Sequence, residues 1–154
     1  MAPSKSEASA IRFGAVRDES VLARLYDRPG NRFLRVGIHD GGALRGWAVL
    51  LATRWTDHKY FGNMHVGSIV DLLAAPGYEG AVVDAAVARL EREDVDVMVT
   101  NQSFGPIREA LRRSGFLVGP SNFLLAVSPA LAALTGSVAE NLAMGAMLPL
   151  MMAP

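Results

Sequence analysis

The 154-residue chain contains no cysteine, which removes disulfides, thiolate metal ligands and cysteine nucleophiles together. It also lacks any excess of charge. Fifteen basic and fifteen acidic residues cancel, and no long run of one sign stands out. Without a basic footprint, nucleic acid is not an expected partner. The longest apolar stretch is the tail, "NLAMGAMLPLMMAP". It falls short of the roughly 20 residues that span a bilayer, and Gly145 and Pro149 interrupt it, so no membrane partner is expected. The opening "MAPSKSEASA" has no apolar core of a secretory signal and reads as a disordered lead-in over residues 1–10. Three histidines, none in His-x-x-x-His spacing, give no metal site. No Gly-x-Ser-x-Gly elbow supports serine hydrolysis. A cytoplasmic protein is the expectation.

What is present is a core and its punctuation. Just over half of the residues are hydrophobic, enough for one domain of this length. Ile11–Val16 alternates weakly as a short strand. Asp18 can cap a short helix on which Val21, Leu22 and Leu25 share a face. Pro29-Gly30 marks a turn before the strand "FLRVGI". His39-Asp40-Gly41-Gly42 is a hairpin turn, and the return strand "RGWAVLLATR" reads as buried on both faces. The polar "TDHKYFGN" leads to a second buried-looking strand, "MHVGSIVDLLAAP", stopped by Pro76-Gly77. Gly80–Glu93 has helical periodicity through Val82, Val83, Ala86, Val87 and Leu90. "VDVMVT" is a short strand. Pro106 suits a helix first turn, and Arg112 and Arg113 suit its last. "NFLLAV" reads as a strand and "PALAALTG" as a helix. Ala139–Pro154 has no clean strand pattern: an irregular helix, a groove cover, a subunit contact and an aberrant end of the reading frame all remain open. The order predicts a mixed α/β sheet with helices packed on it as a single domain over residues 11–136, followed by an apolar Met-rich tail over 137–154 whose structure stays open.

Two stretches carry a resemblance. "IVDLLAAPGYEGAVVDAAVARL" places Pro76, Tyr78 and Gly80 after a strand ending Leu72-Leu73-Ala74-Ala75. "NQSFGPIREALRRSGF" places Asn101 at a strand end, then a helix, then Gly115-Phe116. Both resemble the coenzyme A motifs of the GNAT N-acetyltransferase superfamily, and the element order agrees over Phe33–Val127. The resemblance implies a GNAT-like acyltransferase fold in which acetyl-CoA or another acyl-CoA is the co-substrate. Its pyrophosphate would lie on turn and helix amides, and its pantetheine arm between two splayed strands. The coenzyme-binding positions carried over are Leu73, Ala74, Ala75, Tyr78, Glu79, Gly80, Ala81 and Asn101. The activity implied is direct transfer of an acyl group to an amine acceptor, with backbone N–H from the bulged end of Met64–Ala75 holding the oxyanion.

The chain also departs from the family. Glu79 stands at the loop's usual basic or Gln position, and Val82 and Asp84 stand at later glycine positions. Leu111 replaces the tyrosine general acid. One short helical segment, Asp18–Tyr26, stands where two helices usually precede the second strand, so the fold looks truncated at the front. In this the chain resembles the second half of a tandem GNAT-like protein, and its structural partner would be a second copy or a second GNAT-like half. The alternative to an enzyme is therefore a catalytically degenerate GNAT-fold binding or structural half-domain.

For catalysis the candidates are Asp71 and His65, which share parity on the strand and so are expected to face one side. Asp71 in an apolar strand suits a general base, or is a satisfied buried carboxylate holding the strand opening; the second reading is preferred. His65 also reads as a strand-end surface residue. His58 reads as a solvated loop residue and His39 as part of the hairpin turn. Trp47 and Trp55 are expected to pack in or beside the sheet. Gly115 reads as a left-handed helix terminator with Phe116 packed behind it.

Overall fold

A computed structural model describes residues 17–27, 30, 32–102, 104–119 and, as backbone alone, 148–152. The expected strand at Ile11–Val16, the strand "NFLLAV" and the helix "PALAALTG" lie outside these. One helix, α1 (Glu19–Tyr26), precedes β1 (Leu34–Asp40) among the described residues. Then follow β2 (Ala43–Arg54), β3 (His65–Ala74), α2 (Glu79–Glu91), β4 (Val97–Gln102), α3 (Gly105–Arg113), β5 (Leu117–Val118) and β6 (Leu148–Met152). They build a six-stranded sheet in the order β1-β2-β3-β4-β6-β5. β3 and β4 are parallel and joined through α2; the other neighbours are antiparallel. No helix among the described residues is long and apolar enough to cross a membrane.

Local chemistry accounts for most element ends. Asp18 accepts a bond from the Val21 amide at 2.9 Å and so starts α1. Gly41 and Gly42 both have positive φ (57° and 78°), as a two-residue hairpin turn demands. Pro106 occupies the first turn of α3, where its missing N–H costs nothing. At the other end Gly115 turns left-handed at φ 93°. The Gly115 and Phe116 amides then reach back to the Arg112 and Leu111 carbonyls at 3.1 and 3.0 Å. Those two bonds form a Schellman motif, and they bring Phe116 into the core beside Leu111.

The core lies between one sheet face and the pair α2 and α3. Val82, Val83, Ala86 and Leu90 from α2 and Ile107, Ala110 and Leu111 from α3 meet Ala48, Leu50, Ile69 and Met98. α2 approaches the sheet closely at Gly46, where an added Cβ would stand 2.4 Å from Val82 Cγ2. Leu148–Met152, in a stretch without strand periodicity, forms β6 and lies between β4 and β5, with Val99 opposite Met151.

Candidate active site

The irregularity that shapes the site is one extra residue. Leu50 pairs with Ile69 and Val49 with Asp71, so Val70 has no partner on β2 and β3 bulges there. A bulge bends its strand and increases the local twist. On the other side, the parallel ladder to β4 runs only from Val66–Val97 to Ile69–Thr100. β3 continues to Ala74 and β4 continues to Gln102, but β4 stays paired with β6 through Gln102–Leu148. The two parallel strands therefore diverge at the bulge, as the resemblance implies. A cleft of about 290 Å³ opens between them, lined by Ser68, Ile69, Val70, Val99, Thr100 and Asn101.

Side chains finish this opening. The Thr100 hydroxyl donates to the Ile69 carbonyl at 2.9 Å and closes the last rung. Asn101 Oδ1 is buried and has no hydrogen-bond partner among the described residues. A buried acceptor left unmet in this way costs about 1–3 kcal/mol, so a donor entering the cleft has a ready partner.

Beyond the bulge β3 runs into a type II turn. Pro76 and Gly77 (φ 86°) are its central residues, and the Tyr78 amide bonds the Ala75 carbonyl at 3.0 Å. The Ala75 amide is already bound to the Arg45 carbonyl at 2.7 Å. Tyr78 opens α2 without a side-chain cap, leaving the first-turn amides of Glu79, Gly80 and Ala81 pointing out as an anion-favouring end. The Glu79 carboxylate folds back to accept from the Gly77 amide at 2.8 Å. The Tyr78 hydroxyl donates to Asp40, and that bond raises the Tyr78 phenol above its ordinary range; Arg45 lies over the Tyr78 ring.

The architecture is similar to that of several solved structures. No family model and no curated protein sequence matches the chain. The NatC complex bound to Gag peptide and CoA aligns with TM-score 0.55 at 12% identity, over 96% of this chain and 85% of that one. A Bacillus subtilis acetyltransferase in complex with CoA aligns with TM-score 0.55 at 13% identity, over 88% and 84%. The Bacillus subtilis N-acetyltransferase YlbP in complex with coenzyme A aligns with TM-score 0.51 at 16% identity, over 97% and 88%. The chain has the GNAT acetyltransferase fold.

Within this GNAT fold the sequence-predicted residues separate into two ends of β3. Leu73, Ala74, Ala75, Tyr78, Glu79, Gly80 and Ala81 follow the bulge in one continuous path, and Asn101 stands across the cleft. His65 sits at the opposite end of the strand. Its ring is buried, not on the surface, and its Nδ1 lies 2.9 Å from the Asp94 carbonyl. Its amide donates to Asp96 at 2.7 Å. His65 thus ties the α2–β4 connection, where Asp94 adopts a left-handed φ of 55°.

The shared-face expectation for His65 and Asp71 is also overturned. His65 lies opposite Arg54, on the face that carries Leu50 and Ala52 toward α2, whereas Asp71 lies opposite Val49. The extra residue at Val70 inverts the alternation between them. Asp71 is 9% exposed. Its Oδ2 accepts from Arg17 Nε at 2.6 Å and from the Tyr26 hydroxyl at 3.1 Å. This is the satisfied-carboxylate reading. Burial, then the neighbouring Asp71 charge, raises the Tyr26 phenol above its ordinary range.

Val82 and Asp84, at the later glycine positions of the resemblance, are both engaged within the protein. Val82 is fully buried against the sheet, and Asp84 accepts from the Ser114 hydroxyl of α3 at 2.9 Å. Ser68, Val70, Thr100, Arg17 and Tyr26 escaped the sequence reading. Ser68 alone had a local signal, a hydroxyl inside an apolar strand.

Proposed function

We propose that this chain binds acetyl-CoA or another acyl-CoA across the β3–β4 cleft and transfers the acyl group directly to an amine. The observation that carries this reading is the bulge at Val70, which opens the cleft and leads without interruption to an uncapped helix N-terminus. An extended thioester arm fits between diverging strands, because their unpaired amides and carbonyls meet its amide groups. Asn101 Oδ1 would accept from the arm. The first-turn amides of α2 would take the pyrophosphate. That three solved neighbours of this fold hold coenzyme A supports the same ligand.

In the transfer, the acceptor nitrogen attacks the thioester carbonyl carbon and the carbonyl electrons move to oxygen. Backbone N–H at the Val70 bulge would donate to that oxyanion. Collapse breaks the carbon–sulfur bond and releases the amide and the thiolate. The nitrogen's proton leaves to solvent, and the thiolate takes a proton from solvent, since Leu111 is buried in the core and carries none. A second reading, a binding or structural module without turnover, is favoured by Glu79 on the Gly77 amide and by Leu111.

Calorimetric titration with coenzyme A and acetyl-CoA separates these readings from a chain that binds neither. Saturable binding with thiol release in the presence of an amine supports the enzyme. Binding without release supports the degenerate module. No binding at millimolar ligand by folded protein sinks both.

A further inference from the structure

We propose that the Asp71 carboxylate is a recognition point for a ligand cation, and that Arg17 occupies it as an internal surrogate, with α1 as a displaceable strap. Asp71 follows Val70, which lines the cleft, and by register it shares a sheet face with Ser68 and, across the ladder, with Val99 and Asn101. Among the described residues its two bonds come from the α1 segment, and both land on Oδ2. Oδ1 makes no hydrogen bond among the described residues, so the carboxylate has acceptor capacity to spare.

The strap itself is weakly seated. No residue of α1 is buried. Its far end is tied by Arg35, which reaches the Tyr26 carbonyl at 2.7 Å and the Asp27 carboxylate, and by the Tyr26–Phe33 ring contact. Those ties do not depend on Asp71. Arg17, at the other end, has only the carboxylate as its partner among the described residues. A buried carboxylate must keep a compensating cation, but nothing requires that cation to be covalently part of the chain. A primary ammonium group entering the cleft would satisfy Asp71 equally and release Arg17. The ligand class is thus an alkylamine presenting a protonated nitrogen, such as one end of a diamine whose other, neutral nitrogen is acylated. The acylation rests on the acyl-transfer reading above; the exchange of cations at Asp71 does not.

The test is a calorimetric titration of 1,4-diaminobutane, without coenzyme, into the full chain and its Arg17→Gln and Asp71→Asn variants. Arg17→Gln, with the surrogate removed, is expected to bind about tenfold more tightly than the parent, a difference of about 1.4 kcal/mol. Asp71→Asn is expected to show no binding. Methylguanidine should displace the diamine from Arg17→Gln and raise that variant's melting temperature. Equal affinity in the parent and Arg17→Gln overturns the proposal, as does retained binding in Asp71→Asn. If circular dichroism shows Arg17→Gln to have lost its fold, Tyr26→Phe decides. It keeps the ion pair and drops one grip, and about twofold tighter binding is expected; unchanged affinity overturns the idea. Coenzyme titration alongside keeps the two readings apart. Coenzyme binding without diamine tightening removes only the surrogate, and the converse removes only the transfer.

Discussion

One carboxylate can serve structure and yet oppose a bound phosphate. Glu79 caps the turn through the Gly77 amide, at the helix end where a pyrophosphate would sit. The helix dipole favours its charge by about 0.3–1 kcal/mol, while the same charge repels a bound phosphate by about 1 kcal/mol in a solvent-exposed setting. Glu79→Gln is therefore expected to lower stability slightly, read as a small drop in urea midpoint, while tightening coenzyme A about fivefold by calorimetry. Unchanged affinity would mean that the phosphates do not approach this end. Asp18 works only on the structural side. Its bond from the Val21 amide first, and the Ser20 hydroxyl second, lower its pKa from the ordinary 3.8. A lowered folded pKa means the contribution is fully present above the unfolded value and is lost as pH falls through the folded one. Hydrogen-exchange protection of the Val21 amide should hold steady down to about pH 4 and decline below it, and Asp18→Asn should abolish that dependence.

At the scale of elements, the close seat of α2 on β2 carries the sharpest stability expectation. A methyl group at position 46 would stand 2.4 Å from Val82 Cγ2 and 2.9 Å from the Leu73 carbonyl oxygen. Gly46→Ala should cost about 1–3 kcal/mol by overpacking, read as a lower urea midpoint at unchanged slope. Adding Val82→Ala should recover part of the loss, but the Leu73 carbonyl cannot withdraw, so recovery stays incomplete. These elements were largely legible beforehand because their signals are local. Asp18, Pro76-Gly77, Pro106 and Gly115 each act on the backbone within a few residues, and the structure puts an end or a turn at every one. What stayed hidden was set by distant partners. Val70 is one β-branched residue among several, and its bulge appears only in its register against β2. That register placed Asp71 on the wrong face for any argument from parity. Arg17 lies 54 residues from Asp71, and β6 takes its strand form from pairing with β4.

Across the whole molecule, β3 divides into a structural end and an open end. At its start, His65, Asp94 and Asp96 interlock by hydrogen bonds, and Gly67 lets Leu90 and Val95 close over the strand. Past Ile69 the ladder to β4 stops, so the β3 edge on that side faces the cleft, while Asp71–Ala74 stay paired with β2. Stability of this kind is uneven by design of the register, and hydrogen exchange reads it residue by residue. The amides of Val66, Gly67 and Ile69 should exchange slowly in the free protein, and those of Val70, Gly80 and Ala81 faster. A ligand that binds only the folded chain, at a hundred times its dissociation constant, stabilises it by about 2.7 kcal/mol. That gain lowers global opening everywhere, but direct contact adds protection only where amides meet the ligand. With coenzyme A bound, the largest slowing should therefore fall at Val70, Gly80 and Ala81, with little local change beside His65. Slowing that is uniform along β3 would locate the coenzyme elsewhere on the fold, because a ligand lying in the cleft must protect the open end before it protects the interlocked one.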